Sequence, residues 1–340
     1  MKTQPIHGYA AKAKGMLLEP FEYDPPPLSP NDVRISVTHC GLCYTDVHGI
    51  DDYWGITPFP FVPGHEIVGH VTEMGPAATG FKAGDRVGIG WQGRSCGKCE
   101  WCKGGEEHLC KDVDRNAAWE PYGGFADSFR VDSRFAYHLP EGMPSEAAAV
   151  MLCAGLTVYS PLRRYGIGPD HRVGVIGVGG LGHLAIQFAR ALGSDVTAIS
   201  SSPGKEEEAR ALGAEHFLLS TDRAALKEHE LGFDMLLYTS HADVDWTPLM
   251  RALNIHGRMV MMGFPPADVK FDAMELVVRQ NSMTGSLLGS PATMREMLAF
   301  AQSKGVRPRV ELMPMARANE AIQRLKENRA RYRIVLVNAP

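Results

Sequence analysis

Cys96, Cys99, Cys102 and Cys110 fall within fifteen residues in the pattern C-x2-C-x2-C-x7-C. That spacing lets one short, tightly turned segment place four thiolates around a tetrahedral ion, and Gly97, Gly104 and Gly105 ease the turning. With all four ligands supplied by the protein, such a site is structural zinc with no position open to a substrate. Free thiols or an iron–sulfur cluster are the other chemistries that four cysteines allow. A second group lies upstream. Cys43 and His65 supply one soft and one borderline zinc ligand, with Glu66 directly after the histidine. Between them Thr45, Asp46 and His48 offer a hydroxyl, a carboxylate and an imidazole, which could move a proton or orient a ligand.

A third constellation is Gly177-Val178-Gly179-Gly180-Leu181-Gly182, which fits G-x-G-x-x-G. It follows an apolar strand and opens a helix-like run, the context that separates a dinucleotide loop from an accidental glycine cluster. The glycines allow a tight turn and close approach of a pyrophosphate, whose charge meets the helix N-terminus. NAD-binding loops of this kind place an acid about twenty residues further on. No carboxylate occurs from Val196 to Lys205, where Ser200, Ser201, Ser202 and Lys205 instead offer hydroxyls and a cation to a 2′-phosphate. Two such contacts, at roughly 1.5–3 kcal/mol each, imply a preference for NADP(H) of roughly 100-fold.

The elements that must hold these residues can be read more coarsely. The chain has 340 residues, beyond what one hydrophobic core usually serves, so two domains are expected. With 44% apolar and 22% charged residues and a net charge of −4, nothing points to nucleic acid or a membrane as partner. The N-terminus lacks a signal-peptide apolar run, and the longest apolar stretch, Ala147 to Leu156, is too short to span a bilayer. Seven cysteines, four of them clustered, suit metal and thiol chemistry in a reducing cytoplasm.

Residues 1–150 read as all-β, with period-two alternation in Val33–Val37 and Ile67–Thr72 and a turn at Ala83-Gly84-Asp85, and they carry the cysteine lobe at about 94–112. Ser145-Glu146 can cap a helix running to about Arg164. Cys153 lies on it and, on local sequence, is a small buried hydrophobe. From His171 the pattern is α/β. Strands at Arg172–Ile176, Val196–Ile199, Phe217–Leu219, Phe233–Tyr238, Arg258–Met262 and Met283–Leu288 would make a six-stranded doubly wound parallel sheet, so 151–288 forms the nucleotide-binding domain. In 289–340, helices at Pro291–Lys304 and Ala318–Arg329 precede a last strand, Tyr332–Val337, that could return to the first domain.

Taken together, Cys43-x-Thr45-Asp46-x-x-His48, Gly64-His65-Glu66, the four-cysteine lobe, Cys153-Ala154-Gly155, the glycine loop and Ser200-Ser201-Ser202-x-x-Lys205 resemble the zinc-containing medium-chain dehydrogenases/reductases. Within them the chain is most similar to the cinnamyl alcohol dehydrogenase group and its bacterial aldehyde-reductase relatives. The resemblance implies a GroES-like catalytic domain, completed by the C-terminal strand, beside a Rossmann domain, and a homodimer formed through the latter. It implies Cys153 as a third catalytic ligand with Cys43 and His65, a Cys2His set for which alcohol dehydrogenase is the standard example. Two zinc ions and NADP(H) would then serve reduction of an aldehyde or oxidation of an alcohol.

Zinc would act as Lewis acid, and Thr45, the nicotinamide ribose and His48 would relay the proton. Glu66 is either an occasional fourth ligand or a carboxylate beside the ligands, and Asp46 orients His65. Further coenzyme contacts fall to Thr45, Thr157, Thr239, Gly263 and Leu288. Trp54 and Trp119, with Leu288, are candidates for the substrate pocket or ordinary core residues. Relatives often carry His or Arg at the place of Tyr44, which is expected to weaken coenzyme binding, and Cys40 reads as core. A non-catalytic zinc- and NADPH-binding protein would be expected to lack some of Cys43, Thr45, His65 or Cys153, and a zinc-free quinone reductase would lack the lobe as well. All are present.

Overall fold

The strand Asp32–Leu42 organises the first part of the structure, a computed structural model that describes residues 4–25, 27–115 and 122–338. Its β-branched residues Val33, Ile35 and Val37 are buried, as period-two alternation requires for a strand with one face on a core. One edge pairs along most of its length with Glu66–Met74, antiparallel, with Gly41 opposite Glu66. The other edge is divided. Its first half pairs with Ser128–Asp132, and its second half with the C-terminal strand Arg333–Val337, Ile334 opposite Leu42. The sheet continues to Val310–Pro314 on one side and to Arg86–Ile89 and Ala136–His138 on the other. Phe61, Ile67, Ile89, Phe125, Phe135 and Leu336 fill the core against it.

This register has a chemical consequence. Cys43 directly follows the central strand, Glu66 opens its neighbour on one side, and Arg333 opens its neighbour on the other. Three residues far apart in sequence therefore meet at one end of the sheet.

The all-β expectation for residues 1–150 needs correction at this end, because Tyr44–Ile50 is a seven-residue helix. Asp46 starts it by reaching back to the Cys43 backbone, whose N–H donates to Oδ2 at 2.8 Å, the reciprocal arm of a capping box. The expected helix from Ser145 is present but begins after Pro144. Ser145 lies inside its first turn and accepts from Arg86 Nη1 at 3.2 Å instead of capping. The helical run also contains a π-helical turn, Met151–Gly155, which carries Cys153, and such turns are frequent at functional sites. The run Ser145–Arg164 is by length and composition long and apolar enough to cross a bilayer, but 78% of its most apolar window is buried inside the protein, as in a core helix.

The chain divides into one unit of Met1–Cys153, Gly289–Gln302 and Pro308–Pro340, and a second of Ala154–Leu288 and Ser303–Arg307. The second holds the expected six parallel strands, in the order His216–Leu219, Asp195–Ser200, Arg172–Ile176, Phe233–Tyr238, Leu253–Met261, Ser282–Gly285. In chain order this is 3-2-1-4-5-6, the arrangement whose switch point lies beside the first strand.

Gly41 makes the crowded end of the first sheet possible, since a Cβ there would lie 2.0 Å from Glu66 Oε2 and 2.9 Å from Glu66 Cβ. Gly41→Ala is therefore expected to lower stability by about 1–3 kcal/mol through overpacking, read as a lower denaturation midpoint. An unchanged midpoint would mean that Glu66 is free to move aside.

Candidate functional site

Cys43, His65, Glu66 and Cys153 each present one ligand atom, and these four atoms lie within 4.8 Å of one another. All four residues belong to the first unit. Asp46 fixes the arrangement from below. Its Oδ1 accepts from Gly64 N–H at 2.9 Å and meets His65 Nδ1 at 3.0 Å, so the imidazole is anchored through Nδ1. The opposite nitrogen, His65 Nε2, is buried without a hydrogen-bond partner. An unsatisfied buried polar atom costs about 1–3 kcal/mol, which a metal bound at that lone pair would offset. Two sulfurs, one imidazole nitrogen and a carboxylate oxygen are a donor set that suits zinc.

The electrostatics agree. A hydrogen bond from Cys153 holds Cys43 well below the ordinary thiol range despite burial, with His65 helping. The same bond, together with burial, pushes Cys153 well above that range, so one proton is held between two sulfurs. Burial disfavours a charged His65, but Asp46 and Cys43 outweigh it and raise its pKa well above the usual value. Burial, with Cys43 and Asp46 nearby, pushes Glu66 up to about 7 although Arg333 opposes this. Metal binding displaces such protons, so affinity here should rise with pH.

Arg333 is the residue that sequence reasoning missed. It is buried, and its Nη2 donates to Glu66 Oε1 in a buried ion pair, leaving Glu66 Oε2 without a hydrogen-bond partner. The available signal was a guanidinium at the head of an otherwise apolar strand, Arg-Ile-Val-Leu-Val.

In the lobe, Cys96, Cys99, Cys102 and Cys110 also bring their sulfurs within 4.8 Å of one another. Separations of 3.9 Å for Cys96–Cys102 and 3.5 Å for Cys99–Cys102 are close to the ~3.8 Å expected for thiolates at ~2.3 Å from a tetrahedral zinc. Backbone N–H groups of Cys99 and Cys96 donate to the sulfurs of Cys96 and Cys110. Donation from Lys98 and Cys99 brings Cys96 down to about 6, while burial takes Cys110 up to about 12. All seven cysteines are free of disulfides.

Thr45 and His48 both lie on the short helix after Cys43, and Thr45 Oγ1 lies 3.6 Å from Cys43 Sγ, within hydrogen-bonding reach of the sulfur. Trp54 packs edge-on against His48, with ring centroids 5.1 Å apart. Trp119 lies outside the described residues.

The glycine loop sits in the second unit. Gly177 adopts φ +95°, and a Cβ on Gly182 would fall 1.8 Å from Gly177 O, so turn and helix packing both demand glycine. At Gly179 a Cβ would meet nothing within 4 Å, so the space there is open to a close-approaching group such as a phosphate. Gly180 and Leu181 lead into the helix Gly182–Ala191. Thr239 Oγ1 ties the loop to the switch point, donating to Ile176 O at 3.0 Å and Gly177 O at 2.9 Å. Gly263 N–H donates to Tyr238 O nearby at 3.1 Å, and Thr157 and Leu288 are buried.

Ser200 Oγ accepts from Ser202 N–H at 3.2 Å, Ser201 is exposed between them, and Lys205 Nζ pairs with Glu208 at 2.8 Å. Glu208 lies just past the stretch free of acids, so a phosphate would share Lys205 with it.

Comparison with known proteins gives consistent matches. Residues 29–141 match the alcohol dehydrogenase GroES-like domain, and residues 180–303 the zinc-binding dehydrogenase domain. An aldehyde reductase, AdhA, from Synechocystis is 39% identical over 97% of this chain and 98% of its own length. A cinnamyl alcohol dehydrogenase structure from Sorghum bicolor superposes with a TM-score of 0.94 at 40% identity, covering 98% of both chains. The CAD from Helicobacter pylori complexed with NADP(H) gives a TM-score of 0.89 at 29% identity, again over 98% of both.

Elemental analysis of protein purified without chelator is expected to find about two zinc ions per chain. Cys102→Ser should lose one of them and lower the melting temperature, because binding at a closed thiolate site is folding free energy. A variant that melts normally with both ions would remove the lobe from this role.

Proposed function

This chain belongs to the zinc-binding, GroES-like alcohol dehydrogenase family and is an oxidoreductase of the alcohol–aldehyde class; from that premise we propose an NADP(H)-preferring aldehyde reductase. The reaction is aldehyde plus NADPH plus a proton giving alcohol and NADP⁺, or its reverse. The observation that carries the reading is the orphaned Nε2 of His65 facing the sulfurs of Cys43 and Cys153. When bound, zinc supplies Lewis-acid polarisation of the carbonyl, and the coenzyme supplies the hydride.

The protein's own residues supply the rest. Cys43 and Cys153, as thiolates, balance the charge of the ion, and neutral His65 completes the set. Asp46 holds the histidine by Nδ1 so that only Nε2 is offered. Arg333 tethers Glu66 through Oε1, which leaves Oε2 as its only oxygen available to the ion. Thr45 Oγ1 gives the proton that the product oxygen requires, and His48, three residues further along the same helix, returns one from solvent. Loss of His48 should cost roughly 10²-fold or less, since water can substitute.

Gly177, Gly179 and Gly182 cradle the pyrophosphate, while Ser200, Ser201, Ser202 and Lys205 receive the 2′-phosphate. The NADP(H) complex of the Helicobacter relative supports this assignment. Because Lys205 is shared with Glu208, the expected discrimination falls below the value for two unopposed contacts. Homodimerisation through the second unit is supported by its terminal strand Ser282–Gly285 and by exposed Met274, Val277 and Leu287. Seven cysteines, none of them in a disulfide, suit a reducing cytoplasm.

For one aldehyde, kcat/KM is expected to favour NADPH over NADH by roughly tenfold or more, and Ser201→Asp should swing the ratio toward NADH. Equal values, or a preference for NADH, would refute the coenzyme assignment. Cys153→Ala should abolish turnover while NADPH binding survives, and near-normal turnover would return Cys153 to the core.

A further inference from the structure

His48 lies in the last turn of a helix of only seven residues, where a partly exposed imidazole would ordinarily move among several rotamers. Here it is enclosed by rings. Tyr53 stacks on it, with centroids 4.6 Å apart and planes at 23°. Trp54 meets it edge-on at 5.1 Å and 83°, and Tyr44 does so at 5.0 Å and 73°. Trp54 is also perpendicular to Tyr53, at 5.6 Å and 88°. These are the offset-stacked and edge-to-face geometries that ring quadrupoles favour.

The backbone is arranged to produce this enclosure. Tyr53 N–H donates to His48 O at 2.9 Å, so the chain folds back immediately after the helix. Asp52 makes the reversal with φ +43°, a costly conformation for a non-glycine residue, and its carboxylate accepts from Thr57 N–H at 2.9 Å. Asp51, the residue closing the helix, is paired with Lys326 at 2.8 Å. Tyr53 itself is 60% exposed, too open to serve as a core residue, although its ring lies flat on the imidazole.

We propose that Tyr53 is the positioning residue for His48, its ring, with the edges of Trp54 and Tyr44, fixing the imidazole in the orientation from which it carries the proton. The inference rests on the relay reading of His48 given above. In this role Tyr53 acts through the histidine, on which its ring stacks.

The test runs in the direction of alcohol oxidation, where the proton must leave the alcohol before hydride transfer, so a single turnover of NADPH formation reports the relay. Zinc content and melting temperature establish that each variant is folded. Tyr53→Leu should slow that turnover by on the order of tenfold, part of the roughly 10²-fold that a positioned proton carrier contributes, with NADP⁺ affinity and the KM for alcohol unchanged. Tyr53→Phe, which keeps the ring, should restore the rate. In a His48→Gln background, Tyr53→Leu should cost nothing more. Independently of activity, the His48 ring protons, assigned by their loss in His48→Gln, should lose their ring-current shift in Tyr53→Leu and keep it in Tyr53→Phe. Losses that multiply in the double variant, or ring shifts that persist without Tyr53, would overturn the role of Tyr53 alone. A His48→Gln enzyme with unchanged turnover would overturn the relay reading and this proposal with it.

Discussion

The structure depends on how charge is balanced at one end of the first sheet. Cys43, Cys153, Glu66 and Asp46 are four groups able to carry negative charge around one buried imidazole. Like charges at this separation cannot all be ionised in a dry interior unless cations compensate them. Arg333 is one such cation, and a divalent ion at the four ligand atoms would be another. Where compensation falls short protons take up the charge, the direction in which the Cys43 hydrogen bond pushes Cys153 and burial pushes Glu66. The sheet register, the glycine at position 41 and the return of the last strand all bring the guanidinium to the carboxylate.

This explains why the chain leaves its first unit after Cys153 and comes back to it. The cluster of candidate metal ligands draws on residues 43, 65, 66 and 153, and the arginine paired with it waits until residue 333. The second unit serves a different demand, a backbone loop that a phosphate can approach closely, and it meets that demand with glycines and a helix start rather than with side-chain ligands.

Much of this could be read directly from residue order. Cysteine spacing revealed the lobe because a closed thiolate site leaves a local signature, and the six-stranded sheet was visible because buried parallel strands form short apolar runs between helices. Other features depend on contacts that no local pattern encodes. The helix at Tyr44–Ile50 is too short to show a period, and only the return of Asp46 to the Cys43 backbone discloses it. Arg333 looked like the edge of an apolar strand until its ion pair with Glu66 placed it beside the candidate metal ligands. The Lys205–Glu208 pair was hidden because the acid lies three residues past the lysine, beyond the place where coenzyme-binding acids occur. Trp54 had pocket and core as its two readings, and the contact that the structure adds is its edge-on packing against His48.

The central claim, that Cys43, His65 and Cys153 converge on a second zinc distinct from the lobe, is tested most directly by X-ray absorption at the zinc edge of the purified protein. Four sulfurs at the lobe, and two sulfurs with one nitrogen and one further light atom at the other centre, predict an average shell of about three sulfurs at ~2.3 Å and about one nitrogen or oxygen at ~2.0–2.1 Å. A shell of about four sulfurs with no light-atom contribution would show that only the lobe holds zinc and would contradict the account.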